Sequence, residues 1–218
     1  MPQTAEQYFN ELRIDNLKYA FANFSQIAFI GLDMSLRSTG YAVVRAGKYI
    51  EGGEIETKNY GAPRIHEIAS KVIQVIERYP TIMTLIENYA FSKNSSSVTK
   101  LAELGGVLRV YLYLRKHRYL PISNTTVKKY LMGNGQAPKN LMAMNVLKKF
   151  NIEPIGDDHA DAIALAFYLY HAIRFSINMN LPYLQYERES FGTLLNIKLK
   201  SKPKKKTNRQ LALEVGQA

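Results

Sequence analysis

Four carboxylates stand where apolar segments begin or end, and this pattern limits what the chain can fold into. Asp33 closes the run "IAFIGL", and Glu87 closes "TLI". Asp158 and Asp161 open "DHADAIALAFYLYHAI", a segment apolar on almost every side of a helix and so suited to a deep interior. A lone carboxylate at the edge of a core is costly to desolvate. Taken singly, each acid has an ordinary reading. Asp157 or Asp158 can cap a helix, Glu87 can pair with a lysine, and Asp33 can cap a turn. Taken together, they describe one site. Asp158 and Asp161 are three residues apart and share a helix face. Like charges placed there repel unless a cation lies between them. Oxygen-only ligands suit Mg²⁺ or Mn²⁺. A pair of such ions about 4 Å apart activates a water and stabilises the leaving oxygen in phosphodiester cleavage.

Apolar periodicity divides the rest of the chain. Residues 4–24 read as an amphipathic packing helix, with Tyr8, Leu12, Leu17, Phe21 and Phe24 roughly on one face. Strands are predicted over 27–34, 40–46 and 49–56, and the short break "AGK" makes the last two a hairpin. A helix over 63–78, a strand over 84–89, a helix over 98–117 and a strand over 119–124 follow, then helices over 138–150 and 158–177. Three successive strands before an alternation of helix and strand predict an α/β fold. Its five-stranded mixed sheet has antiparallel hairpins, parallel crossovers and helices on both faces. The chain thus divides into a helical extension (1–25), a main domain (26–180) and a C-terminal extension with a basic tail (181–218).

Charge separates the tail from the body. The net charge is +11, but residues 198–209 hold seven basic residues and no acid, leaving the remainder at +4. Such a tail attracts a polyanion in a salt-sensitive way, or serves as a solubilising or targeting segment. The absence of cysteine excludes disulfides, thiolate metal sites and cysteine nucleophiles. No run reaches the 18 or so apolar residues of a membrane helix. The N-terminal stretch carries acids early and lacks a continuous apolar core, so it reads as neither a signal nor a transit peptide.

Five motifs in order, "IGLDMSLRSTGYAVV", "LIENYAFSKN", "LAELGGVLRVYL", "TVKKYLMGNGQAPK" and "DDHADAIALA", carry a resemblance over about residues 27–173. The chain resembles the RuvC-type Holliday-junction resolvases of the RNase H-like superfamily. The resemblance implies an RNase H-like core and a homodimer that cuts four-way junctions and related branched DNA by paired nicks. It implies two Mg²⁺ ions per site, with Mn²⁺ as a substitute, and a cytoplasmic setting in a bacterium or a phage-infected host. Asp33, Glu87, Asp158 and Asp161 match the metal ligands. Lys128 and Lys139 match basic residues near the scissile phosphate, Lys139 being counted as catalytic. Ser38, Tyr89, Phe91 and Lys93 are further expected DNA contacts, and Ser38, Thr39 and Gly40 lie in the turn beside the site. The helix with Gly105 and Gly106 matches the one packed against the dimer mate. His159 is a candidate ligand or proton relay, set against a role in local packing. His66, His117 and His171 read as surface or packing residues, and Asp157 as a cap or an acid supporting the ligands rather than as a ligand itself.

Two departures bear on specificity rather than on metal chemistry. Met34-Ser35 replaces the usual Pro-Gly after the first aspartate, as in phage-type members. Ala90, flanked by Tyr89 and Phe91, stands where the family has its junction-inserting aromatic. Two alternatives stay open, a broader nuclease for flaps or RNA–DNA hybrids and a non-catalytic junction-binding protein, while a third, an actin-like phosphate-binding domain, is set aside. The last needs a duplicated half for which the chain has no room.

Overall fold

The computed structural model describes residues 24–88 and 95–195. Five strands form one sheet: β1 (Ala28–Asp33), β2 (Ser38–Arg45), β3 (Lys48–Glu56), β4 (Thr81–Glu87) and β5 (Tyr119–Ile122). Their order is β3-β2-β1-β4-β5. β1, β2 and β3 pair antiparallel, whereas β4 is parallel to both β1 and β5. The β2–β3 connection turns on Ala46 and Gly47, both at positive φ (51° and 75°), the pairing that matches the twist of a two-residue hairpin. The expected mixed sheet is therefore present.

The helices are α1 (Gly61–Glu77), α2 (Ser95–Leu114), α3 (Asn124–Met132), α4 (Met142–Phe150), α5 (Asp157–Ile177) and α6 (Gln185–Leu195). A short 3₁₀ turn (Lys139–Leu141) precedes α4, so the helix expected over 138–150 starts as a tighter turn. β1 is buried along its whole length, and its side chains alternate between two cores. Ala28, Ile30 and Leu32 pack against Ile68, Val72 and Ile76 of α1 and Leu104, Leu108 and Leu112 of α2. Phe29 faces the other way, into a core built on α5 with α3, α4 and α6. Helices thus cover both faces.

Two helices are additional to those expected from periodicity. α3 is short and carries Thr125, Thr126 and Val127, β-branched residues with weak helix preference. Its ends supply what the interior lacks. Ser123 caps it by accepting from the Thr126 N–H, and Gly133 closes it at φ 76°. α6 begins in the polar stretch "QYERES" but buries Phe191, Leu194 and Leu195 in the α5 core. The packed core therefore takes in α6, which lies within the stretch 181–218 read from the sequence as a C-terminal extension. The predicted helix over 4–24 falls, apart from Phe24, outside the described residues, as does the lysine-rich tail.

Candidate metal centre

Alternation along the strands aims two carboxylates at one place. Asp33 follows Phe29 and Gly31 on the α5 face of β1, and Glu87 follows Met83 and Leu85 on the α5 face of β4. β1 and β4 are adjacent and parallel, with Leu32 opposite Ile86, so both acids emerge at the same end of the sheet. α5 lies across this end. A Cβ on Gly31 would meet the carbonyl oxygen of Ala162 at 2.3 Å, and one on Gly40 the carbonyl oxygen of Asp158 at 1.9 Å. Only glycine admits so close an approach, and that approach brings the first turns of α5 onto the strand ends.

Asp33, Glu87 and Asp161 consequently offer carboxylate oxygens that all lie within 4.8 Å of one another. Asp33 is 9% exposed and Asp161 2%. Both carboxylate oxygens of Asp161 are buried without a hydrogen-bond partner, and Lys139 Nζ stands 3.6 Å from its Oδ2 and 3.9 Å from Asp158 Oδ1. Buried carboxylate oxygens that lack a hydrogen bond, beside two further acids, fit a divalent, oxygen-preferring cation.

Electrostatics agree with that donor set. Burial, then the charges of Glu87, Asp161 and Asp158, hold the Asp33 pKa well above the ordinary carboxylate value. Burial and Glu87 raise Asp161 to about 7, against the pull of Lys139. Glu87 is raised chiefly by burial, opposed by a hydrogen bond from Asn124 and by Lys139 and Lys128. Asp158 is raised by burial, with Lys139 opposing. Burial works against the Lys139 charge, but Asp161, Asp33 and Asp158 more than offset it, so Lys139 stays a firm cation. A metal ion would supply the charge compensation that one lysine only begins.

Other expected residues are placed less centrally. Lys128, half-buried on α3, acts on Glu87 through its charge. The Ser38 hydroxyl donates to Glu54 Oε2. Tyr89, Phe91 and Lys93 lie outside the described residues. His159 has both ring nitrogens engaged away from the carboxylates: Nδ1 accepts from the Ile155 N–H at 3.2 Å, and Nε2 lies 3.0 Å from the Tyr49 hydroxyl. Burial also lowers its pKa, leaving a neutral packing imidazole. His66 bonds the Tyr111 hydroxyl and His171 the Tyr130 hydroxyl, each at 2.6 Å. Neither Asp157 nor Asp158 caps α5. The cap position is Gly156, and both aspartates sit in the first turn, where the helix N-terminus favours negative charge.

Two residues near the site escaped the sequence pattern. Asn124 Nδ2 donates to Glu87 Oε1 at 2.9 Å. Glu54 accepts from Ser38 and, at 3.4 Å, from the His159 N–H. It therefore serves from β3 as the side-chain cap that Gly156 does not supply. The Ser123–Gly133 bracket around α3 was the available signal for Asn124, whereas nothing local distinguishes Glu54 from a solvent-facing acid on an edge strand.

A mixed five-stranded sheet with carboxylates from β1, β4 and α5 gathered at one end defines an RNase H-like protein with an acidic, metal-fitting centre. The profile of the family described as crossover junction endodeoxyribonuclease RuvC matches residues 29–169, and the chain belongs to that family. RuvC of Brachyspira hyodysenteriae is 34% identical over 154 residues, covering 66% of this chain and 93% of that protein. RuvC of Hydrogenovibrio crunogenus is 30% identical over 143 residues, covering 62% and 82% respectively. The solved structure of Thermus thermophilus RuvC with a Holliday junction substrate superposes with a TM-score of 0.60 at 21% identity, covering 69% of this chain and 96% of that one. Among the described residues, no helix is long and apolar enough to cross a membrane.

Proposed function

We propose that this protein is a metal-dependent crossover junction endodeoxyribonuclease that resolves four-way DNA junctions by paired, symmetric nicks. The observation carrying this reading is the convergence of Asp33, Glu87 and Asp161 within 4.8 Å at the end of the sheet, in a chain of the RuvC family. Asp33, Glu87 and Asp161, with Asp158 beside them, would hold two Mg²⁺ ions. When bound, these ions supply an activated water and stabilisation of the leaving oxygen, giving 5′-phosphate and 3′-hydroxyl ends.

The chain's own groups prepare that step. Burial keeps bulk water from the carboxylates and strengthens every charge interaction among them. Lys139 has a half-exposed side chain paired with Asp158 and Asp161, so its ammonium stands beside the acidic centre, where it would neutralise the scissile phosphate. Lys128 adds positive charge on the Glu87 side. Ser38, with Tyr89, Phe91 and Lys93, would contact the DNA.

Two strands of opposite polarity call for two sites related by a two-fold axis. The outer face of α2 suits a second copy: a side chain at Gly106 would meet open space, and Val110, Tyr113 and Leu114 are 55%, 69% and 68% exposed. This reading places the protein with DNA in a bacterial cytoplasm.

A substrate panel tests the proposal. With Mg²⁺, labelled four-way junction is compared with linear duplex, flap and RNA–DNA hybrid. Paired symmetric nicks confined to the junction support it. Equal cutting of flap or hybrid moves the function to a broader RNase H-like nuclease. Junction binding without cleavage of any substrate identifies a binding protein instead.

A further inference from the structure

We infer that Asn124 is a positioning residue for this metal centre, its side-chain amide holding one oxygen of Glu87 so that the carboxylate is presented to a divalent cation. The inference deepens the reading of Glu87 as a ligand and rests on it.

The contact is direct, with Asn124 Nδ2 donating to Glu87 Oε1 at 2.9 Å. It is also built on fixed elements. Glu87 is in register with Ile122 across the β4–β5 ladder, and the Asn88 N–H donates to the Ile122 carbonyl at 2.7 Å. Asn124 follows Ile122 by two residues and opens α3, so the backbone sets the offset between amide and carboxylate. Asn124 is not needed to start the helix, because Ser123 already caps it.

The chemistry of the side chain matters as much as its place. Lys139 and Lys128 draw the charge of Glu87 toward themselves, and Asp158, Asp33 and Asp161 repel it. A cation at position 124 would neutralise Glu87 and compete with a metal. A carboxylate would repel it. An amide orients Glu87 while leaving its charge available. The arrangement is also costly in isolation, since Asn124 Oδ1 is buried with no protein partner. That cost is offset only by what the amide does for Glu87, which ties the side chain to the carboxylate. Hydrogen bonds to ligating carboxylates commonly carry ten- to a hundredfold in metal affinity or activity.

The test is a double-mutant cycle read by calorimetric binding of Mn²⁺ alone, without DNA, on wild type, Asn124→Ala, Glu87→Gln and the double variant. Four-way junction binding in EDTA and metal-free thermal unfolding are measured alongside. The inference predicts that Asn124→Ala weakens Mn²⁺ binding about ten- to a hundredfold, leaves junction affinity within about twofold, and adds no loss in the Glu87→Gln background. Asn124→Leu, close in size and free of the orphan oxygen, shows the same loss and serves if the alanine variant does not fold. Unchanged Mn²⁺ binding in Asn124→Ala or Asn124→Leu, beside a weakened Glu87→Gln, overturns the role of Asn124 alone. A loss that persists in the double variant, or that junction binding matches, also overturns it. Unchanged Mn²⁺ binding in Glu87→Gln overturns the reading of Glu87 as a ligand, and the inference with it.

Discussion

Gly40 is the register partner of Asp33 across β1 and β2, and a Cβ on Gly40 would lie 1.9 Å from the carbonyl oxygen of Asp158. The missing side chain thus sets how closely α5 seats on the strand that carries Asp33. In Gly40→Ala the clash is with backbone, so no rotamer change relieves it and α5 must shift. We predict a destabilisation of about 1–3 kcal/mol or more, read by chemical denaturation. Cleavage per folded molecule should fall about a hundredfold, as expected when reacting groups are misplaced by about 1 Å. Wild-type stability and activity in this variant would contradict the seating of α5.

The gathered acids make metal-free stability depend on pH. The folded state holds a proton on Asp161 up to about pH 7, whereas the unfolded chain releases it in the ordinary carboxylate range. The folded state therefore binds more protons between those limits, and stability falls as pH rises through that window. Asp33 and Glu87, also raised, act in the same direction. Asp161→Asn should stabilise the metal-free protein at pH 7 by on the order of 2 kcal/mol and flatten the slope. Mg²⁺ should raise the melting temperature of wild type but not of Asp161→Asn. Thermal unfolding across pH 4–8, with and without Mg²⁺, reads both effects.

Lys139 is predicted to separate chemistry from metal binding. Its ammonium stands 3.6 Å from Asp161, where it would compete with a divalent ion for the carboxylate. Lys139→Ala should lower junction cleavage about a hundredfold or more, the usual effect of losing a charge-stabilising group. Mg²⁺ affinity should hold or rise, because a competitor for the carboxylates is gone. A parallel loss of metal affinity, measured by calorimetry, would contradict this division.

Phe191 tests how far the fold extends. It is fully buried, and its ring packs against those of Tyr130, Tyr168, Phe175 and Tyr183. Phe191→Ala should cost about 3–5 kcal/mol by chemical denaturation. A cost near zero would mean that α6 is an appendage.

The legible parts of this molecule are those where one physical pattern dominates. β1 and β4 are apolar runs closed by single acids, and α5 is an apolar run opened by Asp157, Asp158 and Asp161, so the sequence marks the acids that the fold then brings together. α3 was hidden because Thr125, Thr126 and Val127 speak against a helix, while its caps, Ser123 and Gly133, lie outside the periodic window. α6 was hidden because its first turns are polar and its buried residues come late, at Phe191 to Leu195. Glu54 reaches α5 across 105 residues of sequence, and only the assembled fold reveals it. The neutral, packed state of His159 likewise depends on Tyr49, a partner 110 residues away.

If Asp33, Glu87 and Asp161 hold the metal that cuts a four-way junction, removing one of these carboxylates abolishes cutting and spares binding. The measurement that tests it most directly is single-turnover cleavage of a labelled four-way junction in Mg²⁺ by wild type and Asp33→Asn, with junction binding measured on the same samples. The account predicts paired symmetric nicks by wild type, no detectable cutting by Asp33→Asn, and equal junction affinity for the two. Cleavage by Asp33→Asn at a rate close to wild type would contradict it, because the carboxylate at the end of β1 would then not belong to the reacting centre.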